Sequence, residues 1–221
     1  MHTEKMLVRT EATYSDDRTH RYLLLREWDA KKPKALIIMT NPSTAGTIAL
    51  DFTTLYILNN ITQLGFGSVT TANLVSKMTL HLKAKDDLVA EEENFDQIVK
   101  AAQKADKIII AWGRIGDTSI KVRAVQDKLL ARLTPYKEKL CEIGNASGQS
   151  GFHPLAPQIR SNWILNPYEI PAPLTAKEEK QAKPKAKGKS KTKAVNDPGQ
   201  DEAAQTAAKA EVEQSTEGAE Q

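Results

Sequence analysis

Lys34-Ala-Leu-Ile-Ile-Met39 runs without a break into Thr40-Asn-Pro-Ser-Thr-Ala-Gly46, and this stretch decides the fold. A short, continuously apolar run fits a strand buried on both faces, as strands of parallel sheets are. It stops in a turn of small and polar residues. Asn41 and Ser43 can bond backbone groups locally, Pro42 fixes φ and removes a donor, and Gly46 tolerates a left-handed geometry. In an open α/β sheet, the loop leaving the carboxyl end of a strand is where ligands bind. A site is therefore expected to begin here.

The same alternation repeats outward. A helix is expected over Asp51–Leu64, with Leu55, Leu58, Ile61 and Leu64 at helical spacing. Gly65-Phe-Gly67 ends it, and Ser68–Asn73 reads as a second strand. After a polar connection from Lys77 to Leu88, the spacing of Ile98, Ala101 and Ala102 predicts a helix near Asn94–Ala105. Lys107–Ala111 is the third strand, a long helix is expected from Thr118 to Leu133, and Lys139–Ile143 is the fourth strand. Upstream, Lys5–Tyr14 and Arg21–Trp28 flank the polar turn Ser15–Thr19 and read as a β-hairpin. Strands alternating with helices imply parallel βαβ units. The expected fold is α/β: a three-layer α/β/α sandwich with a central four-stranded parallel sheet plus an N-terminal hairpin.

Composition sets the limits of that domain. From Ala176 to Gln221 there is no Leu, Ile, Phe, Tyr or Trp, so the tail cannot bury enough apolar surface to offset its ordering entropy. Residues 1–173 are expected to fold, and 174–221 to form a disordered tail. The chain carries a formal net charge of +3. The tail itself is neutral but separates its signs, with a Lys-rich block at 177–193 before an acidic one at 197–220. A basic block can touch nucleic acid nonspecifically, and it serves equally as a solubilising segment. Cys141 is the only cysteine, which excludes an internal disulfide and a cysteine-built metal cluster. With no signal-peptide run and no apolar stretch of membrane-spanning length, no membrane partner and a cytoplasmic location are expected.

Each parallel strand ends in residues that do not pack a core: Asn41-Pro42-Ser43, Asn73, Trp112-Gly113, and, after a Gly- and Ser-rich loop, His153-Pro-Leu155. All fall on the carboxyl edge of the sheet, a pattern expected of a pocket. Each has a structural alternative. Asn41 and Asn73 could serve as turn or cap residues and Trp112 as packing. Asp51 and Asp117 read first as helix N-caps, Asp51 doubling as a pocket carboxylate.

These landmarks, in this order, resemble the uracil-DNA glycosylase superfamily. There an Asp-Pro or Asn-Pro motif follows the first strand, a base-reading Asn ends the second, a Leu-Trp-Gly stretch ends the third, and a His-Pro-Ser loop follows the fourth. The stretch from about Tyr14 to Leu155 is also similar to a bacterial and phage family of domains of unknown function, number 1643, with its Asn-Pro-Ser-x-Ala, Asn-Leu, Ala-Trp-Gly and His-Pro-Leu marks. The glycosylase resemblance implies that Asn41 holds an attacking water, Asn73 bonds the edge of an extruded base, and His153 stabilises charge on the departing base. It further implies that Ser43 contacts phosphate and that Leu155 lies near an apolar wedge. Pro42, Asp51, Trp112 and Gly113 complete the expected binding site.

This chain departs from the glycosylase pattern in two places. Asn41 stands where the most active glycosylases place an Asp, and Leu155 replaces the serine of the His-Pro-Ser loop. The implied function is hydrolysis of the N-glycosidic bond of a modified base, with DNA or a nucleotide as partner. The alternatives are a non-catalytic nucleotide or nucleic-acid binding module and an interaction scaffold. No metal or cofactor is expected, since Asp51, Asp117 and His153 lack ligand spacing.

Overall fold

The computed structural model describes residues 1–42, 46–78, 91–173 and 175. Ser43, most of the 77–88 connection and the tail from residue 176 onward lie outside the described residues. The chain is an α/β protein built on one seven-stranded mixed sheet of order β1-β2-β4-β3-β5-β6-β7. Its strands are β1 (Arg9–Tyr14), β2 (Arg21–Glu27), β3 (Lys34–Met39), β4 (Ser68–Asn73), β5 (Lys107–Ile110), β6 (Leu140–Gly144) and β7 (Ile164–Pro167). The four expected parallel strands, β4-β3-β5-β6, form the centre. The sheet is nevertheless larger than a four-stranded sheet with a hairpin. β2 joins β4 antiparallel and carries β1 outside it, while β7, which the sequence reading missed, pairs antiparallel with β6.

Period-two alternation along the strands sorts the core onto two faces. Ala35, Ile37 and Ile109 pack on one side with Ile57 and Ile61 of α1 (Phe52–Gln63). Leu36, Ile38, Ile108 and Ile110 pack on the other, with Phe95 and Ile98 of α2 (Glu92–Lys104) and Leu129 and Leu130 of α4 (Ile120–Leu133).

Two helix expectations are corrected. Of the expected α1 stripe, Ile61 is buried and Leu58 packs against the core, whereas Leu55 and Leu64 are exposed and Ile57 and Asn60 are buried in their place. The expected long helix is α4, which begins at Ile120, and a separate single turn, α3 (Ile115–Thr118), precedes it. Asp117 therefore sits inside α3 and caps nothing. Ser119 caps α4, its side chain accepting from the Val122 N–H at 3.4 Å. Among the described residues no helix is long and apolar enough to cross a membrane.

Candidate functional site

Chain direction creates a crevice at one edge. β3 leads through α1 to β4 on one side, and β5 leads through α3 and α4 to β6 on the other, so the chain diverges at the carboxyl ends of β3 and β5. Such a switch point is where open α/β sheets bind ligands. Backbone bonds fix the strand ends in register there. Ala111 N–H donates to the Ile38 carbonyl, Leu74 N–H to Met39 and Val75 N–H to Thr40. The Thr40 hydroxyl adds a bond to the Trp112 carbonyl at 3.4 Å.

Asn41 and buried Pro42 leave β3 directly into this crevice. Asp51 is the N-cap of α1, accepting from the Thr54 N–H at 2.7 Å. Asn73 ends β4 and is only 3% exposed; its carbonyl accepts from the Asn94 side-chain amide at 2.9 Å, while its own Oδ1 is buried without a partner. A buried acceptor left unpaired is costly, so its retention calls for an explanation.

His153 returns to the crevice through a structured loop. Asn145 Oδ1 accepts from the N–H groups of Ser147 and Gln149, and Gly148 and Gly151 take positive φ. Gly113, at φ +67°, admits the histidine: a Cβ there would lie 3.3 Å from His153 Cβ. His153 Nδ1 accepts from the Leu155 N–H at 3.2 Å. Burial lowers the ring's pKa below the ordinary 6.5, with the Asp51 carboxylate opposing. The ring is thus neutral at neutral pH, and with Nδ1 occupied as an acceptor its proton sits on Nε2.

Arg26, which no sequence signal marks, is 4% exposed. Its Nη2 lies 3.4 Å from the carbonyls of Gly46 and Thr47. Burial and then Arg21 lower its pKa, and Asp51 opposes them. Asp51 is therefore electrostatically coupled to both Arg26 and His153. Trp112 and Gly113 also line a cavity on the α4 side of the sheet, which none of Asn41, Asp51, Asn73, His153 or Leu155 lines. Leu155 is 39% exposed. Among the described residues, no group of three or more His, Cys, Asp or Glu could hold a metal ion.

Fold and edge together define an α/β protein with a candidate site at the switch point of a mixed sheet. Residues 21–155, more than half of the chain, match the family described as "Protein of unknown function (DUF1643)", and the chain belongs to that family. No curated protein and no solved structure matches it. The match begins with β2 and ends at Leu155, so it contains every candidate residue named above.

Proposed function

We propose that this crevice binds a nucleobase and that the protein is a glycosylase-like hydrolase, cleaving the N-glycosidic bond of a modified base. The observation that carries the reading is His153, a neutral ring whose Nδ1 is occupied by the Leu155 N–H and whose Nε2–H is left as a donor. Such a donor stabilises charge that develops on a departing base, and a preorganised donor is worth most where water is excluded. Asn73, with a buried and unpaired Oδ1, supplies an acceptor for a base N–H.

Asn41 orients a water, but an amide cannot take its proton. Asp51, coupled to His153, supplies the carboxylate for that task. In the proposed step the water proton passes to Asp51 and the water oxygen bonds to the anomeric carbon. The C–N bond breaks, and its electron pair leaves with the base toward His153. Asn41 in place of a carboxylate favours a second reading, a nucleotide or nucleic-acid binding module without catalysis.

Incubation with single strands and duplexes carrying varied base modifications, followed by detection of abasic sites, tests the proposal. Product is expected from the native chain, with a loss of about 10²-fold or more on His153→Ala or Asp51→Asn. Saturable binding with no product on any substrate would leave the binding module in its place.

A further inference from the structure

We infer that the cavity on the α4 side of the sheet is a second, separate binding site, for a guanine-type base as free base or nucleoside. It lies beyond the carboxyl ends of β5 and β6 and encloses about 230 Å³. That is smaller than the roughly 300–1,000 Å³ of drug-sized sites and suits one ring system.

Its walls hold an unusual set of polar groups. Gln126 is 4% exposed, and its Nε2 is buried with no partner. Gly116 lies against the other end of that amide, since a Cβ there would come within 2.1 Å of Gln126 Oε1. Glu142 lines the cavity from β6. Its Oε1 accepts from the Ser150 hydroxyl at 2.5 Å, and it has no ion-pair partner among the described residues. The bare Gly151 lies beside its other oxygen. Trp112 and Tyr168 form an aromatic wall, edge to face with centroids 6.5 Å apart. Arg123 is already held by Asp127 at 2.7 Å and by the Ala172 carbonyl at 2.8 Å.

An unpaired amide donor needs a ligand carbonyl, and a carboxylate needs N–H donors. Guanine presents a ring N–H and an exocyclic amine side by side, with a carbonyl adjacent, on a planar face that suits Trp112. Adenine lacks the carbonyl, and cytosine lacks a ring N–H beside its amine. Uracil would turn a carbonyl toward Glu142, a repulsive contact that adds discrimination. The site does not depend on the hydrolytic reading, because the residues proposed for hydrolysis lie outside the cavity.

Isothermal titration of the full chain with guanosine, inosine, adenosine, cytidine and uridine tests the assignment. Guanosine is expected to bind one to one, inosine about tenfold weaker for want of the exocyclic amine, and the other three without saturation. Glu142→Gln should weaken guanosine binding by about tenfold or more. Gln126→Met, which fills the same space without the donor, should weaken binding similarly yet raise the melting temperature by removing an unpaired buried group. His153→Ala and Asn41→Ala should leave guanosine affinity unchanged. The inference is overturned if guanosine fails to saturate at millimolar concentration, if adenosine binds equally well, or if Gln126→Met binds as the native chain does.

Discussion

Burial and charge pull on the His153 ring in opposite directions. Burial lowers its proton affinity, the Asp51 carboxylate raises it, and burial wins. The unfolded chain therefore takes up a proton at this position before the folded chain does. The resulting stability is fully present above the ordinary value of 6.5 and is lost as pH falls below it toward the lowered folded value. Asp51→Asn isolates the charge, because Asn caps a helix as well as Asp and can keep the Thr54 bond. The His153 pKa, followed by NMR of its ring protons, is expected to drop further in that variant. A pKa that rises or stays put would remove Asp51 from the site's electrostatics. Asn73 and His153 are legible in the sequence because each interrupts or follows a strand with a residue the core does not want. Arg26 is not, since a charged residue in a hairpin reads as solvated until the loop at Gly46 and Thr47 covers it.

The helix α1 shows where local periodicity misleads. Leu55 and Leu64 are apolar and correctly spaced, yet they are exposed, and the sheet receives Ile57 beside the expected Ile61. Asn60 reads as a surface residue, but its side-chain amide donates to the Arg160 carbonyl at 2.9 Å, a partner 100 residues away that no local window contains. The phase of the helix is set by that contact and by the sheet, and not by its apolar residues alone. Ile57→Ala and Ile61→Ala are therefore expected to cost about 2–5 kcal/mol each in urea unfolding. Leu55→Ala and Leu64→Ala should each stay within about 0.5 kcal/mol. Equal costs for both pairs would put Leu55 and Leu64 on the buried face as well. β7 is hidden in the sequence for a related reason. It has four residues ending in Pro167, and a proline in a strand is tolerated at a sheet edge.

The family match covers residues 21–155 and leaves both edge strands outside it, β1 and β7. β7 and its flanks nonetheless carry core: Trp163 and Ile159 are buried in the α1-side cluster, and Tyr168 donates its N–H to the Leu140 carbonyl at 3.1 Å. Cys141 on β6 lies directly opposite Pro167 of β7, and burial pushes its thiol up to about 11. A thiol that is both covered and protonated reacts slowly, so this lone cysteine reports on whether the far edge of the sheet is closed. The tail beyond Thr175 lacks Leu, Ile, Phe, Tyr and Trp and is expected to add no core. A chain ending at Thr175 should accordingly keep the melting temperature and the slow Cys141 modification rate of the full chain. A chain ending at Leu155, the limit of the family match, loses Ile159, Trp163 and Tyr168 and should expose Cys141 to rapid modification by a thiol reagent, with its cooperative melt lost. If the shorter chain instead melts cooperatively and protects Cys141, the sheet closes without β7, and the domain ends where the family match ends.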